Sequence, residues 1–153
     1  MEPLLVGVDF GTTNSSVAVL DPLTNKVSMR RLDEGETPFL IRTILTKETD
    51  GSWTIGNQAA ALGAMRDRSV LSLKTELRRS PDFAWTVDGE RIPLTDCISV
   101  FLRQLLLSAG IAAPQEIDRI ALSVPVNFDE RRKAVMERAA VKLGLDPAQI
   151  WFL

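Results

Sequence analysis

The stretch VGVDFGTTNSSVAVL, Val6–Leu20, decides how the rest of the chain is read. Val6, Val8 and Phe10 recur at every second position, and Val17 and Val19 do the same beyond a polar break. Period two marks a strand with one buried face. The break, Gly11-Thr12-Thr13-Asn14-Ser15-Ser16, is turn-forming. Together they predict two antiparallel strands of a β-hairpin, which need only a short connection. Asp21-Pro22 makes a second turn, and Lys26 to Arg30 supplies a third strand.

The hairpin turn also carries chemistry. A phosphate group needs several N–H donors aimed at one point, and small residues that let the backbone come close. Gly11 gives the close approach, and Thr12, Thr13 and Asn14 add side-chain donors. Asp9, ending the first strand, is placed to hold Mg²⁺ through the ion's water shell, because that ion gives up water reluctantly. A bare Gly-Thr-Thr would read as an ordinary polar turn. The full Asp-x-Gly-Thr-Thr-Asn-Ser string inside an alternating hairpin favours phosphate binding.

Downstream, Glu34 to Pro38 is polar and Phe39 to Thr46 reads as a strand, with Asp50-Gly51 turning into Trp53-Thr54-Ile55. Asn57 is placed to cap a helix carrying Ala59, Ala60, Ala61, Leu62 and Met65. Ser69 to Arg79 is mixed in character. Asp88-Gly89 joins Trp85-Thr86-Val87 to Arg91-Ile92-Pro93 as a hairpin. Thr95 or Asp96 starts a helix whose stripe is Ile98, Phe101, Leu102, Leu105 and Leu106, ended by Gly110. Ile120 to Val126 is a nearly continuous apolar run, predicting an inner strand covered on both faces. Asp129 caps a helix with the stripe Val135, Met136, Ala139, Ala140 and Leu143, closed by Gly144. Asp146-Pro147 turns into a strand beginning at Ile150. Strands first, then helix–strand–helix–strand, predict an α/β fold with a mixed sheet and covering helices. Phe39, Trp53, Trp85 and Trp151 read as core.

The totals narrow the function. In 153 residues, 45% hydrophobic and 25% charged, there is material for one globular domain. A net charge of −2 and the absence of an aromatic–basic pattern argue against nucleic acid and an acidic membrane surface as partners. The basic run Arg131-Arg132-Lys133 reads as a solvated helix face. With no histidine, a Ser-His-Asp triad, a Cys-His pair and most zinc sites are excluded. The one cysteine, Cys97, reads as a half-buried helix residue and fits a reducing compartment. Glu2-Pro3 ahead of Leu4 offers no basic leader, and no apolar run has the length of a membrane span. A cytoplasmic protein is expected.

Val6–Leu20 resembles the first phosphate-binding hairpin of the DnaK-type (seventy-kilodalton) heat-shock chaperones, within the actin-like ATPase superfamily. Glycerol kinase and its relatives carry a similar string. Three further segments look like the chaperones in order: Thr37-Pro38, Ile55-Gly56-Asn57-Gln58-Ala59-Ala60, and Leu122-Ser123-Val124-Pro125-Val126-Asn127-Phe128. The resemblance implies a ribonuclease H-like lobe with a mixed five-stranded sheet, flanking helices and a small inserted α+β subdomain. Residues 1–36 and 112–153 would form the core subdomain, and 37–111 the insert and connecting helix. It implies ATP/ADP and Mg²⁺ as cofactors, held by Asp9, Gly11, Thr12, Thr13 and Asn14.

Ser72-Leu73-Lys74-Thr75-Glu76-Leu77-Arg78 resembles the segment whose lysine reaches the γ-phosphate and attacking water in that family, which makes Lys74 catalytic together with Asp9. A compact cation there neutralises charge gathering on the transferred phosphoryl group. Arg78-Arg79-Ser80 stand where the family has a glycine. Pro125 would relay nucleotide state to a substrate domain, with Lys133 at the position of the family's relay arginine and Arg132 beside it. Client polypeptides and co-chaperones would bind through other domains, a second lobe and a peptide-binding domain lying beyond Leu153. A metabolite kinase lobe and a non-catalytic actin-like scaffold are the competing readings. A kinase needs an acidic base for its acceptor hydroxyl, and a scaffold would show no turnover. A single lobe is expected to bind ATP weakly and to hydrolyse it negligibly. Micromolar ATP binding by calorimetry on this chain would contradict that expectation.

Overall fold

The structure is a computed structural model that describes residues 4–61 and 67–153. The opening forms β1 (Leu4–Phe10), β2 (Asn14–Asp21) and β3 (Lys26–Met29). Val6 pairs with Val19 and Val8 with Val17, so the alternating residues of both strands share one buried face. The predicted hairpin and third strand are present.

The segment from Phe39 is not one strand. It splits into β4 (Ile41–Arg42), which pairs with the start of β2, and β5 (Leu45–Lys47), which belongs to a second sheet. Between them the Thr43 amide donates to the Thr13 carbonyl at 2.9 Å, and this crossing bends the chain. Phe39 precedes the bend and is exposed, contrary to its reading as core. β6 (Trp53–Ile55) follows the expected Asp50-Gly51 turn. The next helix, α1 (Gly56–Ala61), begins one residue before Asn57. Asn57 therefore lies inside it, and its amide donates to the Asp33 carboxylate instead of capping. Leu62 and Met65 lie outside the described residues.

The mixed segment resolves into β7 (Ser69–Val70), which completes the three-stranded sheet β6-β5-β7, and α2 (Leu73–Arg79). β8 (Ala84–Val87) and β9 (Glu90–Pro93) form the expected hairpin. Arg68 ties these small sheets together: its guanidinium grips the Asp88 carboxylate and donates to the carbonyls of Lys47 and Glu48. α3 (Leu94–Ser108) starts at Leu94, directly after Pro93 and slightly earlier than expected. It buries Ile98, Phe101, Leu102, Leu105 and Leu106, and the Phe101 ring lies 5.7 Å from that of Phe10. Each such apolar side chain taken out of water stabilises the fold by about 1.5–3 kcal/mol.

β10 (Ile117–Leu122) runs parallel to β1, and α4 (Glu130–Val141) leads back to β11 (Ile150–Phe152), parallel to β10. The main sheet has the order β11-β10-β1-β2-β3, with the short β4 beside β2. It is mixed, as the element order predicted. α4 caps on Asp129 and buries Val135, Met136, Ala139 and Ala140, with Leu143 just beyond, against α3. One apolar core runs through all of this.

Two expectations about β10 change. It starts earlier than the apolar run, at Ile117, where it pairs with Leu4 of β1, and it ends earlier too, because Pro125 has no N–H for a ladder and the chain leaves the sheet there, with Val126 in the open. It is an inner strand but is covered on one face. On the other face Leu5, Ala18, Leu20, Val27, Ala121 and Trp151 border a shallow apolar groove, so Trp151 is half exposed and stacks under Arg119 rather than entering the core. Trp85 is buried and Trp53 packs on the core's margin. No helix among the described residues is long and apolar enough to cross a membrane.

Cys97 is fully buried in α3, not half-buried, and burial pushes its thiol up to about 12. The thiolate is the reacting species. At pH 8 the folded chain is therefore expected to resist iodoacetamide and the urea-unfolded chain to react fully. Fast labelling of the folded chain would show that α3 does not pack as described.

Candidate functional site

The β1–β2 turn is built by contacts from distant parts of the chain. A Cβ on Gly11 would lie 2.0 Å from the Asn14 carbonyl oxygen, so only glycine fits this bend. Three backbone carbonyls around the bend are taken up from behind. The buried Lys74 ammonium donates to the Phe10 carbonyl, and the Ser72 hydroxyl to that of Thr12 at 3.0 Å. The third, Thr13, is the acceptor of the Thr43 amide already described. Just past the turn, the buried hydroxyls of Ser15 and Thr43 bond each other at 2.8 Å.

This pattern orients the opposite groups. In a trans peptide the C=O of one residue and the N–H of the next point in opposite directions. Tying down the carbonyls of Phe10 and Thr12 therefore turns the N–H groups of Gly11 and Thr13 outward. The amides of Gly11, Thr12 and Thr13 donate to no acceptor among the described residues. Thr12, Thr13 and Asn14 are exposed, so their side chains stand beside these donors in water.

Asp9 is exposed at the end of β1, and its Oδ1 accepts the Ser123 hydroxyl at 2.7 Å. The same Ser123 oxygen accepts the Phe10 amide at 3.1 Å, so one serine beyond β10 fixes both residues. No group of three or more His, Cys, Asp or Glu side chains is gathered to cage a metal among the described residues. A single exposed carboxylate fits a hydrated Mg²⁺, which commonly takes one or two carboxylates and otherwise binds water and phosphate.

Lys74 sits in the first turn of α2, capped by the Ser72 side chain. Its Nζ also lies 5.9 Å from the centre of the Phe10 ring. It pairs with neither Glu76 nor Glu48, the partners a solvated lysine would take: Glu76 faces Arg79 and Glu48 accepts the Thr54 hydroxyl. Burial lowers the ammonium's pKa, the Asp9 charge partly opposes this, and Arg78 lowers it further. The site thus sets a lysine of reduced proton affinity behind a row of outward N–H donors.

Asp9, Gly11, Thr12, Thr13, Asn14 and Lys74 all belong to this one turn and its backing. Pro125 stands two residues beyond Ser123, and its carbonyl accepts the Phe128 amide as the chain bends toward α4. Lys133 makes no hydrogen bond to the group; its ammonium pairs with Glu130 at 3.3 Å. The α4 side chain that reaches α2 is Arg132, which donates to the carbonyls of Leu77 and Arg78.

Sequence reading gave no role to Ser72, Thr43 or Ser123, and set Arg132 only beside the relay position, on a helix face read as solvated. Ser15 was legible in principle, since it shares the inward parity of Val17 and Val19. Ser123 was a polar residue inside an apolar run, which invites a buried partner. The others act across sequence separations that no local pattern reports.

Replacing Gly11 with alanine must open the bend or strain it. Gly11→Ala is expected to lower stability by about 1–3 kcal/mol, the usual cost of overpacking, read as a lower urea midpoint. An unchanged midpoint would contradict the close approach. No model of a known protein family matches this sequence.

Proposed function

We propose that this chain is the ATP-binding first lobe of a cytoplasmic DnaK-like molecular chaperone, in which ATP hydrolysis drives a conformational cycle for protein folding. The observation that carries the reading is the row of N–H groups at Gly11, Thr12 and Thr13 that no acceptor among the described residues takes up, backed by the buried Lys74. Two things support the narrower assignment. The Asp-x-Gly-Thr-Thr-Asn-Ser string and the segments after it resemble the chaperones. The sheet, antiparallel across β1, β2 and β3 and parallel across β1, β10 and β11, is compatible with a ribonuclease H-like lobe of the actin-like ATPases.

In this reading the outward amides and the hydroxyls of Thr12 and Thr13 receive phosphate oxygens of ATP or ADP. Such donors are preorganised, because the carbonyls on the other side are already bonded and no rearrangement is needed when the anion arrives. Asp9, steadied by Ser123, holds the water shell of Mg²⁺; the ion supplies charge neutralisation on the phosphates. Lys74 contributes positive charge to the transferred group from a dry setting, where that charge acts more strongly than in water. Client polypeptides and co-chaperones engage other domains of the chaperone.

The test is a titration of the ¹⁵N-labelled chain with MgATP at millimolar concentration. Amide shifts are expected first at Gly11, Thr12 and Thr13, and Lys74→Gln is expected to shrink them several-fold. Shifts confined to another surface, or none at any concentration, would sink the proposal.

A further inference from the structure

α2 is seven residues long, too short to hold its shape alone in water. Its first turn is held by Ser72, which caps the helix and bonds the Thr12 carbonyl. Leu73 and Leu77 are buried in the core. The last turn leaves backbone carbonyls without helical partners, as every helix does. Here Arg132 of α4 supplies the donors: Nε lies 3.1 Å from the Leu77 carbonyl oxygen and 3.2 Å from that of Arg78, and Nη2 lies 2.8 Å from the latter. The far arm of the same guanidinium, Nη1, donates to Asp129 Oδ2 at 2.7 Å. Asp129 in turn caps α4 through Oδ1, which accepts the Arg132 amide at 2.9 Å. That amide, ahead of the guanidinium charge, holds the Asp129 carboxyl below the usual carboxylate range.

We propose that Arg132 is a positioning residue for Lys74: its planar fork ties the end of α2 to the first turn of α4 and so fixes the helix from which Lys74 reaches the hairpin turn. This deepens the phosphate-site reading above and rests on it. The contacts close a circuit. Asp9 bonds Ser123, the chain from Ser123 bends through Pro125 to Asp129, Asp129 fixes Arg132, Arg132 fixes α2, and Lys74 returns to the carbonyl of Phe10, next to Asp9. Its neighbours lack this role. Arg131 pairs with Asp82 at 2.8 Å and Lys133 with Glu130. A cation at a helix C-terminus is favourable for either basic residue, but arginine's five N–H donors, fixed in a plane, reach two carbonyls on one side and a carboxylate on the other, where lysine offers a compact point charge.

The test reads the Lys74 ammonium directly. In the chain labelled with ¹⁵N-lysine, a buried ammonium bonded to a carbonyl exchanges slowly with water and gives its own ¹H–¹⁵N signal, identified by its loss in Lys74→Arg. Arg132→Gln is expected to speed that exchange at least about tenfold, the effect of losing a charge-assisted hydrogen bond or more. Arg132→Lys is expected to restore part of the protection, and Arg131→Gln to leave it unchanged. The amide spectrum of the β1–β2 hairpin reports in each case that the fold is kept. Unaltered exchange in a folded Arg132→Gln chain overturns the proposal. If that variant does not fold, Arg132→Met, which keeps the apolar stem and loses every donor, is read in its place, and unaltered exchange there overturns the proposal equally. MgATP added to the parent keeps the two ideas apart: turn amides that ignore nucleotide remove the phosphate role, while the ammonium signal still decides whether Arg132 holds Lys74.

Discussion

A buried ammonium must find an acceptor, and Lys74 finds it in the backbone carbonyl of Phe10. Leaving such a charge unpaired in a dry place costs several kcal/mol, so the contact is strongly enforced. It joins α2 to the end of β1, two elements brought together only by the tertiary fold. Once it is made, the peptide between Phe10 and Gly11 cannot rotate, and the Gly11 N–H is committed to the outer side. Ser72 and Thr43 repeat the same move at Thr12 and Thr13. The turn owes its shape to donors that come from outside it.

That dependence explains what the sequence could and could not reveal. The alternation of Val6, Val8, Phe10, Val17 and Val19 is a local signal, and the hairpin formed in the register it implies. The stripes of α3 and α4 are equally local, since a helix packs by a face that repeats every few residues. Boundaries failed where tertiary contacts override the pattern. Gly56 takes a positive φ and opens α1, and Asn57 is drawn to Asp33. The apolar run ending at Val126 outlasts its strand because a proline interrupts it. The strand from Phe39 breaks because its residues serve two sheets.

The candidate site shows the same division. Asp9, Gly11, Thr12, Thr13 and Asn14 are adjacent in sequence, and their composition alone suggested an anion site. Lys74 came from a resemblance, not from any periodicity, and the structure brings it to that turn. Its backing residues were invisible because their roles are relations. A serine is ordinary until Ser123 is found between Asp9 and Phe10, and an arginine in a basic run is ordinary until Arg132 is found on the end of α2.

The exposed apolar face of the sheet belongs to a different physical problem from the site. Val27 and Trp151 lie on that side, whereas the side chains of Phe10, Ile120 and Leu122 fill the core under α3 and α4. The turn that carries the free donors is at the end of the strands, not on the open face. Its geometry is therefore set by the covered half of the molecule, where Phe10 meets Phe101 and Lys74 meets Phe10. The open face takes no part in this: the directions of the Gly11 and Thr13 amides are decided by contacts behind the turn. A turn braced from behind and apolar exposure on the sheet can coexist in one small fold because different sets of side chains answer for each.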